Sequence, residues 1–364
     1  MPRLSPTSVL RRLILPVALG ATLFPAPAAE AKQAKTASIP VEFQVQNVNH
    51  SALDCPTDGE TYTVRGSIVG PRRDLRSGRA ETTTLYLHGL AFGQFLFDFK
   101  ELPNFDYAER QATRGLTSVV IDRLGYGDSD KPAGVSSCLG GQADVAHQIA
   151  QQLKAGTFDV TSGRRAPRFR QVILAGHSIG GLIAELTAVS FPDAIDGLAV
   201  IAFSNNAATP LKMQTAQESL SICSAGGELS DGTSGAPGYA YFGQTPEAFA
   251  SSVFFNPTPR ALDATVARRT RNPCGDLATV MQGSQVNLAN LGSIDVPVLL
   301  IIGAQDRLYS PPAVEDEASR FTGTRDVTFR IVHGVGHAIS LDGDGRAFAR
   351  RIAPWLESYD RKGR

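Results

Sequence analysis

A short apolar run meets a glycine-rich turn in Val172-Ile173-Leu174-Ala175-Gly176-His177-Ser178-Ile179-Gly180-Gly181. The apolar residues predict a buried strand, and the residues from 181 to 190 predict a helix. The pattern G-x-S-x-G between them is typical of a serine on a sharp turn, where a strained backbone requires very small neighbours. Such a turn would expose the Ser178 hydroxyl and aim the N–H of Ile179 at the same point. The alternative is a glycine-rich turn with no chemistry.

The residues on either side of this turn repeat the same alternation of strand and helix. Strand-like runs occupy residues 41–48, 61–69, 83–87, 119–121, 172–175, 198–203, 298–302 and 327–332. Helix-like segments occupy residues 107–114, 142–154, 181–190, 312–321 and 346–359. Short apolar strands that alternate with amphipathic helices predict an α/β fold with a mainly parallel sheet covered on both faces. This pattern indicates a fold class and not a function.

The segment 204–293 interrupts the alternation. It contains no clear strand, and helix-like stretches lie near residues 246–255 and 258–269. A connection of this length is too long for a simple loop and is typical of an insertion with its own function. We therefore expect residues 32–203 and 294–364 to form the core, and residues 204–293 to form a cap or lid over the carboxyl edge of the sheet.

A serine nucleophile needs a base, and the base must come from one of six histidines. His333 and His337 both follow the last predicted strand. His337 is favoured because it lies in the flexible sequence Gly334-Val335-Gly336-His337, whereas His333 ends the strand itself. His88 and His177 lie inside turn motifs and are interpreted as structural.

A carboxylate must orient that histidine. Asp306 follows the predicted strand 298–302 and so falls at the same edge of the sheet as Ser178. The resulting chain order is Ser178, Asp306, His337. Asp122 also ends a strand, but it precedes the serine and begins a turn, which favours a structural role.

The second donor to an oxyanion is expected after the first strand of the parallel set. The sequence His88-Gly89-Leu90 occupies that place, and the backbone N–H of Leu90 is the preferred donor, with Ala91 as the fallback. The alternative for His88-Gly89 is a simple turn.

Taken together, these motifs resemble those of the α/β-hydrolase superfamily. They appear in the same order along the chain as in that family, over roughly residues 80 to 360. The matching pieces are His88-Gly89, the run from Asp122 to Ser129, Gly176-His177-Ser178-Ile179-Gly180-Gly181, Gly303-Ala304-Gln305-Asp306 and Gly334-Val335-Gly336-His337. The resemblance implies an eight-stranded sheet, a cap inserted after the sixth strand and a triad of Ser178, Asp306 and His337. Relatives that act on haloalkanes and epoxides use an aspartate nucleophile, and Ser178 argues against both.

The N-terminus predicts export. Arg3, Arg11 and Arg12 precede an apolar stretch, and small residues at Ala29 and Ala31 suit a signal peptidase, so residues 1–31 are interpreted as a signal peptide. Sec and twin-arginine export both stay open. The apolar run is too short for a good membrane span, although a single N-terminal anchor helix is the alternative.

Export to an oxidising compartment changes the interpretation of the cysteines. Four are present, Cys55, Cys138, Cys223 and Cys274, without the spacing of a metal or redox site. In an oxidising compartment they predict two disulfides. Three pairings exist; Cys223 with Cys274 is favoured because both lie in one inserted segment, which leaves Cys55 with Cys138. The alternative is four buried thiols.

The composition of the chain limits the classes of partner that it can bind. The formal net charge is +0, with 42% hydrophobic and 19% charged residues, and no long basic run suggests nucleic acid. We expect a secreted serine hydrolase that cleaves a small-molecule carboxylic ester through an acyl-enzyme, without metal or cofactor and without membrane insertion of the mature chain. Amide, thioester, lactone and carbon–carbon bonds stay open, as does the oligomeric state. The other classes are a non-catalytic binding module and a lyase or cofactor-free oxidoreductase on the same scaffold.

Overall fold

The computed structural model describes residues 35–206 and 208–362, which contain one large sheet and one small sheet. The strands are β1 Thr36–Gln46, β2 Thr61–Pro71, β3 Arg79–Leu87, β4 Ser118–Ile121, β5 Asp159–Val160, β6 Arg168–His177, β7 Gly197–Ile201, β8 Tyr239–Ala240, β9 Asn272–Pro273, β10 Val298–Gly303 and β11 Val327–Val332. The large sheet has the order β11-β10-β7-β6-β3-β4-β2-β1-β5, and β8 pairs with β9 in the small one. The signal peptide predicted for residues 1–31 lies outside the described residues.

The large sheet is mostly parallel. From β4 through β3, β6, β7 and β10 to β11 every pairing is parallel, whereas β1, β2 and β5 add antiparallel strands at the other end. The central strands β7 and β10 are buried throughout, and β6 is buried from Val172 onward, as their apolar sequences predict. The parallel register brings the carboxyl ends of β3, β6, β10 and β11 to one edge of the sheet.

The predicted eight strands are all present, together with a ninth. The ninth is β5, a two-residue strand that pairs with Val41 and Glu42 of β1 at the end of the sheet. Two residues give no periodic pattern, and for this reason the sequence does not reveal β5. The α/β class, the mainly parallel sheet and its cover of helices are confirmed.

Helices lie between the strands and around the sheet. Their bounds are α1 Arg72–Ser77, α2 Tyr107–Ala112, α3 Leu139–Ala155, α4 Ile179–Ser190, α5 Pro210–Ser224, α6 Pro246–Val253, α7 Pro259–Ala267, α8 Cys274–Ala278, α9 Val280–Asn290, α10 Pro311–Ala318 and α11 Ala347–Lys362. The helices α3 and α4 pack on each other and on β6, whereas α11 packs on α2, β3 and β11. Among the helices in the described ranges, none has the length and apolar character that crossing a membrane requires.

The segment 204–293 folds into helices α5 to α9 and the small β8–β9 sheet. The helices expected near 246–255 and 258–269 are confirmed as α6 and α7. Three of its helices begin with the same dipeptide, Thr209-Pro210, Thr245-Pro246 and Thr258-Pro259. In each case the threonine hydroxyl accepts a hydrogen bond from the third helical N–H, and the proline supplies a preset φ without leaving a donor unpaired.

The four cysteines form the two favoured disulfides. Cys55 bonds to Cys138 with a Cα–Cα distance of 6.3 Å, and Cys223 bonds to Cys274 with a distance of 5.5 Å. The first ties the loop after β1 to the start of α3, and the second ties the end of α5 to the start of α8. Both close long loops, which restricts the unfolded chain.

Candidate active site

Ser178 lies on the turn between β6 and α4. Its backbone has φ 54° and ψ −125°, a strained conformation for a residue other than glycine, and its N–H donates to the carbonyl of Ile201 at 2.8 Å. The turn needs glycine on both sides because the backbone is crowded. A Cβ on Gly176 would lie 1.9 Å from the carbonyl oxygen of Gly180, and a Cβ on Gly180 would lie 2.3 Å from that of Leu87. The glycines of the motif are therefore a steric requirement of the strand–turn–helix junction.

Asp306 and His337 meet at the carboxyl edge of the sheet, where they follow β10 and β11. Nδ1 of His337 lies 2.8 Å from Oδ2 of Asp306, and the two side chains are 2% and 0% exposed. The other carboxylate oxygen accepts the N–H groups of Leu308 and Tyr309 at 2.8 Å and 3.1 Å. The carboxylate is thus held in one orientation, in which it fixes the tautomer and ring plane of His337.

The structure brings Ser178 and His337 together and leaves His333 apart. Ser178 and His337 line the same cavity, whereas His333 is exposed at the end of β11. Asp122 is also held elsewhere. Its buried carboxylate accepts the N–H groups of Gln94 and Asp128 at 2.7 Å and 3.0 Å, and so it shapes a turn.

Ile179 and Leu90, the two residues expected to supply backbone donors, both line this cavity. Ile179 is the first residue of α4, where N–H groups have no acceptor inside the helix. Leu90 lines the cavity, and within the described part of the chain its N–H donates no hydrogen bond. The N–H of Ala91, by contrast, is taken by Oδ1 of Asn272 at 2.7 Å. Of the two residues considered after β3, the geometry therefore favours Leu90 over Ala91 as a free donor.

The other two histidines of the motifs are buried supports. Nε2 of His177 lies 2.9 Å from the carbonyl oxygen of His337, and burial holds the pKa of His177 well below its usual range. His88 accepts the N–H of Arg123 on Nε2 at 3.0 Å, while its Nδ1 lies 2.8 Å from the carbonyl of Gly89. Burial and then the Arg123 charge lower the pKa of His88 strongly. Both imidazoles stay neutral, as structural members of the turns.

The cavity above Ser178 is narrow and mostly apolar. Only about 10 Å³ of it is accessible to the centre of a water-sized sphere. Its walls are Leu90, Phe92, Ser178, Ile179, Lys212, Phe242, Val253, Leu308, Tyr309 and His337. Three of these residues, Lys212, Phe242 and Val253, come from the segment 204–293. In the described part of the chain no cluster of three or more His, Cys, Asp or Glu side chains is placed to hold a metal ion.

The sequence model of the Alpha/beta hydrolase family matches residues 85–351. The chain belongs to this family. Its relative Epoxide hydrolase 4 from Mus musculus is 31% identical over 129 residues, which cover 34% of this chain and 29% of that protein. The match thus spans less than a third of the relative's length.

Solved structures share the fold of this hydrolase at low sequence identity. A thermophilic esterase from Thermogutta terrifontis, solved with malate bound, superposes with a TM-score of 0.59 at 15% identity, covering 88% of this chain and 99% of that one. A monoacylglycerol lipase from Paleococcus ferrophilus gives a TM-score of 0.52 at 20% identity, covering 76% and 94%. At these identities the comparison establishes the fold alone.

Three residues of the hydrolase site were not found by sequence reasoning. Tyr309 stacks on the ring of His337 with 5.8 Å between ring centroids, and Lys212 lies 5.0 Å from the centroid of Tyr309. Asn272 joins β9 to the loop after β3. The order of motifs along the sequence carries no signal for any of them, because each reaches the site through the packing of the 204–293 segment or a turn.

A buried ion pair also links that segment to the core. Nη1 of Arg123 lies 3.0 Å from Oδ2 of Asp276, and both side chains are almost fully buried. Tyr126 donates its hydroxyl to the same carboxylate oxygen at 3.1 Å, and Nε of Arg123 donates to the carbonyl of His88 at 2.9 Å. This pair therefore ties α8 to the turn after β4 and to the loop that carries Leu90.

Proposed function

We propose that this protein is a serine hydrolase that cleaves a carboxylic ester through a triad of Ser178, His337 and Asp306. The observation that carries the proposal is the 2.8 Å contact between Asp306 and His337, with His337 and the strained Ser178 lining one cavity. A serine hydroxyl needs an oriented base to become a nucleophile, and this arrangement supplies one.

In the proposed mechanism, Nε2 of His337 removes the proton from the Ser178 hydroxyl as the oxygen attacks the acyl carbon. The carbonyl electron pair moves to the oxygen, which accepts hydrogen bonds from the N–H groups of Ile179 and Leu90. Each such donor is worth about 10²–10³ in turnover. When the tetrahedral intermediate collapses, His337 returns the proton to the leaving alkoxide. Water then attacks the acyl-enzyme as His337 removes its proton, and His337 returns that proton to the Ser178 oxygen as the acid is released.

We propose that residues 204–293 act as a cap over this site. Support comes from the three cavity walls that the segment supplies and from its disulfide between Cys223 and Cys274. The free space above Ser178 is small, about 10 Å³ for the centre of a water-sized sphere, which favours short acyl groups.

Epoxide opening is the second candidate, because a partial relative carries that name. Such enzymes attack with a carboxylate, and the corresponding turn here carries a serine. Ester cleavage is therefore the better fit to Ser178.

We further propose that residues 1–31 are a signal peptide and that the mature chain is secreted. Two disulfides in one chain support an oxidising compartment. Mass determination of the mature protein tests this, with a start at Lys32 as the expected result. A mature chain that retains residues 1–31 would contradict it.

The first experiment is hydrolysis of 4-nitrophenyl esters from acetate to palmitate by protein starting at Lys32, with Ser178→Ala as the control. We expect activity that is highest on short chains and lost in the variant, together with covalent labelling of Ser178 by a fluorophosphonate. A folded protein that neither cleaves an ester nor takes the label would instead support a binding module.

A further inference from the structure

Lys212 is a charged residue in an otherwise apolar part of the cavity. It lies in the first turn of α5, and its ammonium rests over the ring of Tyr309 at 5.0 Å from the centroid. Among the described residues, no carboxylate forms an ion pair with it and no side chain or carbonyl accepts a hydrogen bond from Nζ. Burial lowers the pKa of Lys212 to about 8, so most molecules carry the charge at pH 7.

Tyr309 adds a second hydrogen-bond donor on the same wall of the cavity. Its buried hydroxyl lies beside that of Ser178, and among the described residues no acceptor is aligned for a regular hydrogen bond. Burial and then the Asp306 charge raise that pKa far above its usual range, which keeps the phenol protonated. Asp306, the carboxylate of the proposed triad, already contacts His337 and accepts two backbone N–H groups.

We propose that Lys212 binds a carboxylate that the substrate carries in addition to its ester group. The inference rests on the proposed function and names the substrate class. Lys212 is half-buried, so its ammonium has lost part of its hydration without gaining a counter-ion, and a ligand carboxylate would satisfy it with a charge-assisted hydrogen bond. A single ammonium suits a singly charged group. A phosphate monoester, which usually takes an arginine fork or several backbone N–H groups, fits this narrow apolar wall less well.

A purely structural role for Lys212 predicts a different result. If the ammonium only steadied the Tyr309 ring by a cation–π contact, its removal would affect charged and neutral substrates alike. If it binds a carboxylate, its removal must act on the charged substrate selectively. The ratio of kcat/KM for two substrates of the same shape separates these roles.

The test uses mono-4-nitrophenyl adipate and its methyl ester at pH 7, with uncatalysed hydrolysis measured in Ser178→Ala. A second pair, 4-(butanoyloxy)benzoic acid and its methyl ester, places the charge on the alcohol side. Lys212→Met keeps the apolar stem and removes the charge, Lys212→Arg keeps the charge, and Lys154→Met removes a lysine on α3. Lys154 is paired with Asp196 and lies outside the cavity.

For at least one pair we expect the native protein to prefer the acid. Lys212→Met should lower the acid-to-ester ratio by about 30-fold or more, the lower end of what removal of one partner from a buried charge pair costs. Lys212→Arg should restore most of the ratio, and Lys154→Met should leave it unchanged. If the acid-to-ester ratio of kcat/KM falls no further in Lys212→Met than in Lys154→Met for both pairs, the inference is overturned.

A binding measurement decides the inference independently of turnover. In Ser178→Ala, calorimetry with adipate and with monobutyl succinate should give binding that weakens at least about 10-fold when Lys212→Met is added. Failure of the native protein to cleave any ester would count against the proposed function. Carboxylates that bind with equal strength with and without Lys212, or do not bind, would count against the inference alone.

Discussion

Oδ1 of Asn272 accepts the N–H of Ala91 at 2.7 Å, and Nδ2 of the same side chain donates to the carbonyl of Ala240 at 2.9 Å. Asn272 is fully buried and belongs to β9, whereas Ala91 follows the proposed oxyanion donor Leu90 and has a positive φ of 63°. One amide from the 204–293 segment therefore holds the backbone of the loop that carries the proposed oxyanion donor.

Replacing Asn272 should lower the rate of catalysis more than replacing a buried asparagine elsewhere in the chain. Asn272→Leu leaves the N–H of Ala91 without an acceptor, at a cost of about 1–3 kcal/mol, and frees the loop to move. We expect kcat to fall by about 10- to 100-fold. The matched control is Asn287→Leu, since Asn287 is equally buried but donates to Leu182 and Glu185. Equal losses of kcat in both variants, measured at equal folded fraction, would remove the special role of Asn272.

Asp306→Asn should lower turnover by about 10⁴. Asparagine can still accept the N–H groups of Leu308 and Tyr309, but its amide opposes the tautomer that His337 needs and offers no charge to the imidazolium. Asp122→Asn is the control, because that buried carboxylate supports a turn and should affect stability instead. Steady-state kinetics on one 4-nitrophenyl ester measures the turnover of both variants. Near-normal turnover of Asp306→Asn would show that another carboxylate orients His337.

The two histidines after β11 should differ sharply. His337→Ala removes the base in contact with Asp306, and we expect turnover to fall by at least about 10⁴. His333→Ala changes an exposed side chain and should alter turnover by less than about threefold. The reverse result would exchange their roles, and circular dichroism on both variants controls for folding.

The sequence predicts most of the sheet and the proposed triad because each signal is local. The apolar runs mark the central strands, and glycines that the turn geometry requires surround Ser178. Asp306 and His337 each follow a strand directly, so strand order alone brings them to one edge. The pattern of apolar residues does not predict α5, although Thr209-Pro210 marks its start as Thr245-Pro246 and Thr258-Pro259 mark those of α6 and α7.

What the sequence does not reveal depends on contacts between distant segments. Lys212 and Asn272 come from the 204–293 segment, and neither lies in a motif. Their placement follows from how α5 and β9 pack over the sheet, which no periodic pattern encodes. The ninth strand β5 forms because two residues happen to lie beside β1, again a tertiary event.

Stability should depend on pH through Glu185. This carboxyl group is fully buried on α4, and burial, followed by the charge of Glu317, raises its pKa well above its usual range. The folded protein therefore binds this proton more tightly than the unfolded chain. The stabilisation is present below about pH 4.3, the unfolded value, and is lost as pH rises through the folded pKa.

Glu185→Gln removes that titration while its side-chain oxygen can still accept from Asn205 and Asn287. We expect the variant to gain in Tm relative to the native protein at pH 8 and to gain less at pH 5. Glu247→Gln, at an exposed position on α6, should show no such difference. Thermal unfolding at both pH values measures the effect, and an unchanged pH dependence in Glu185→Gln would contradict the prediction.

The two disulfides should differ in what they do for activity. Each closes a long loop, 51 residues for Cys223–Cys274 and 83 for Cys55–Cys138, so loop-closure entropy gives each about 4 kcal/mol of stability. Replacing both cysteines of either disulfide by serine should lower the free energy of unfolding by similar amounts.

Only Cys223–Cys274 joins α5, which carries Lys212, to α8, which carries Asp276. At a temperature where both double variants stay folded, we expect KM to rise in Cys223→Ser/Cys274→Ser and to stay near normal in Cys55→Ser/Cys138→Ser. Equal KM values in the two would mean that the packing of α5 against α8 holds Lys212 without the covalent link.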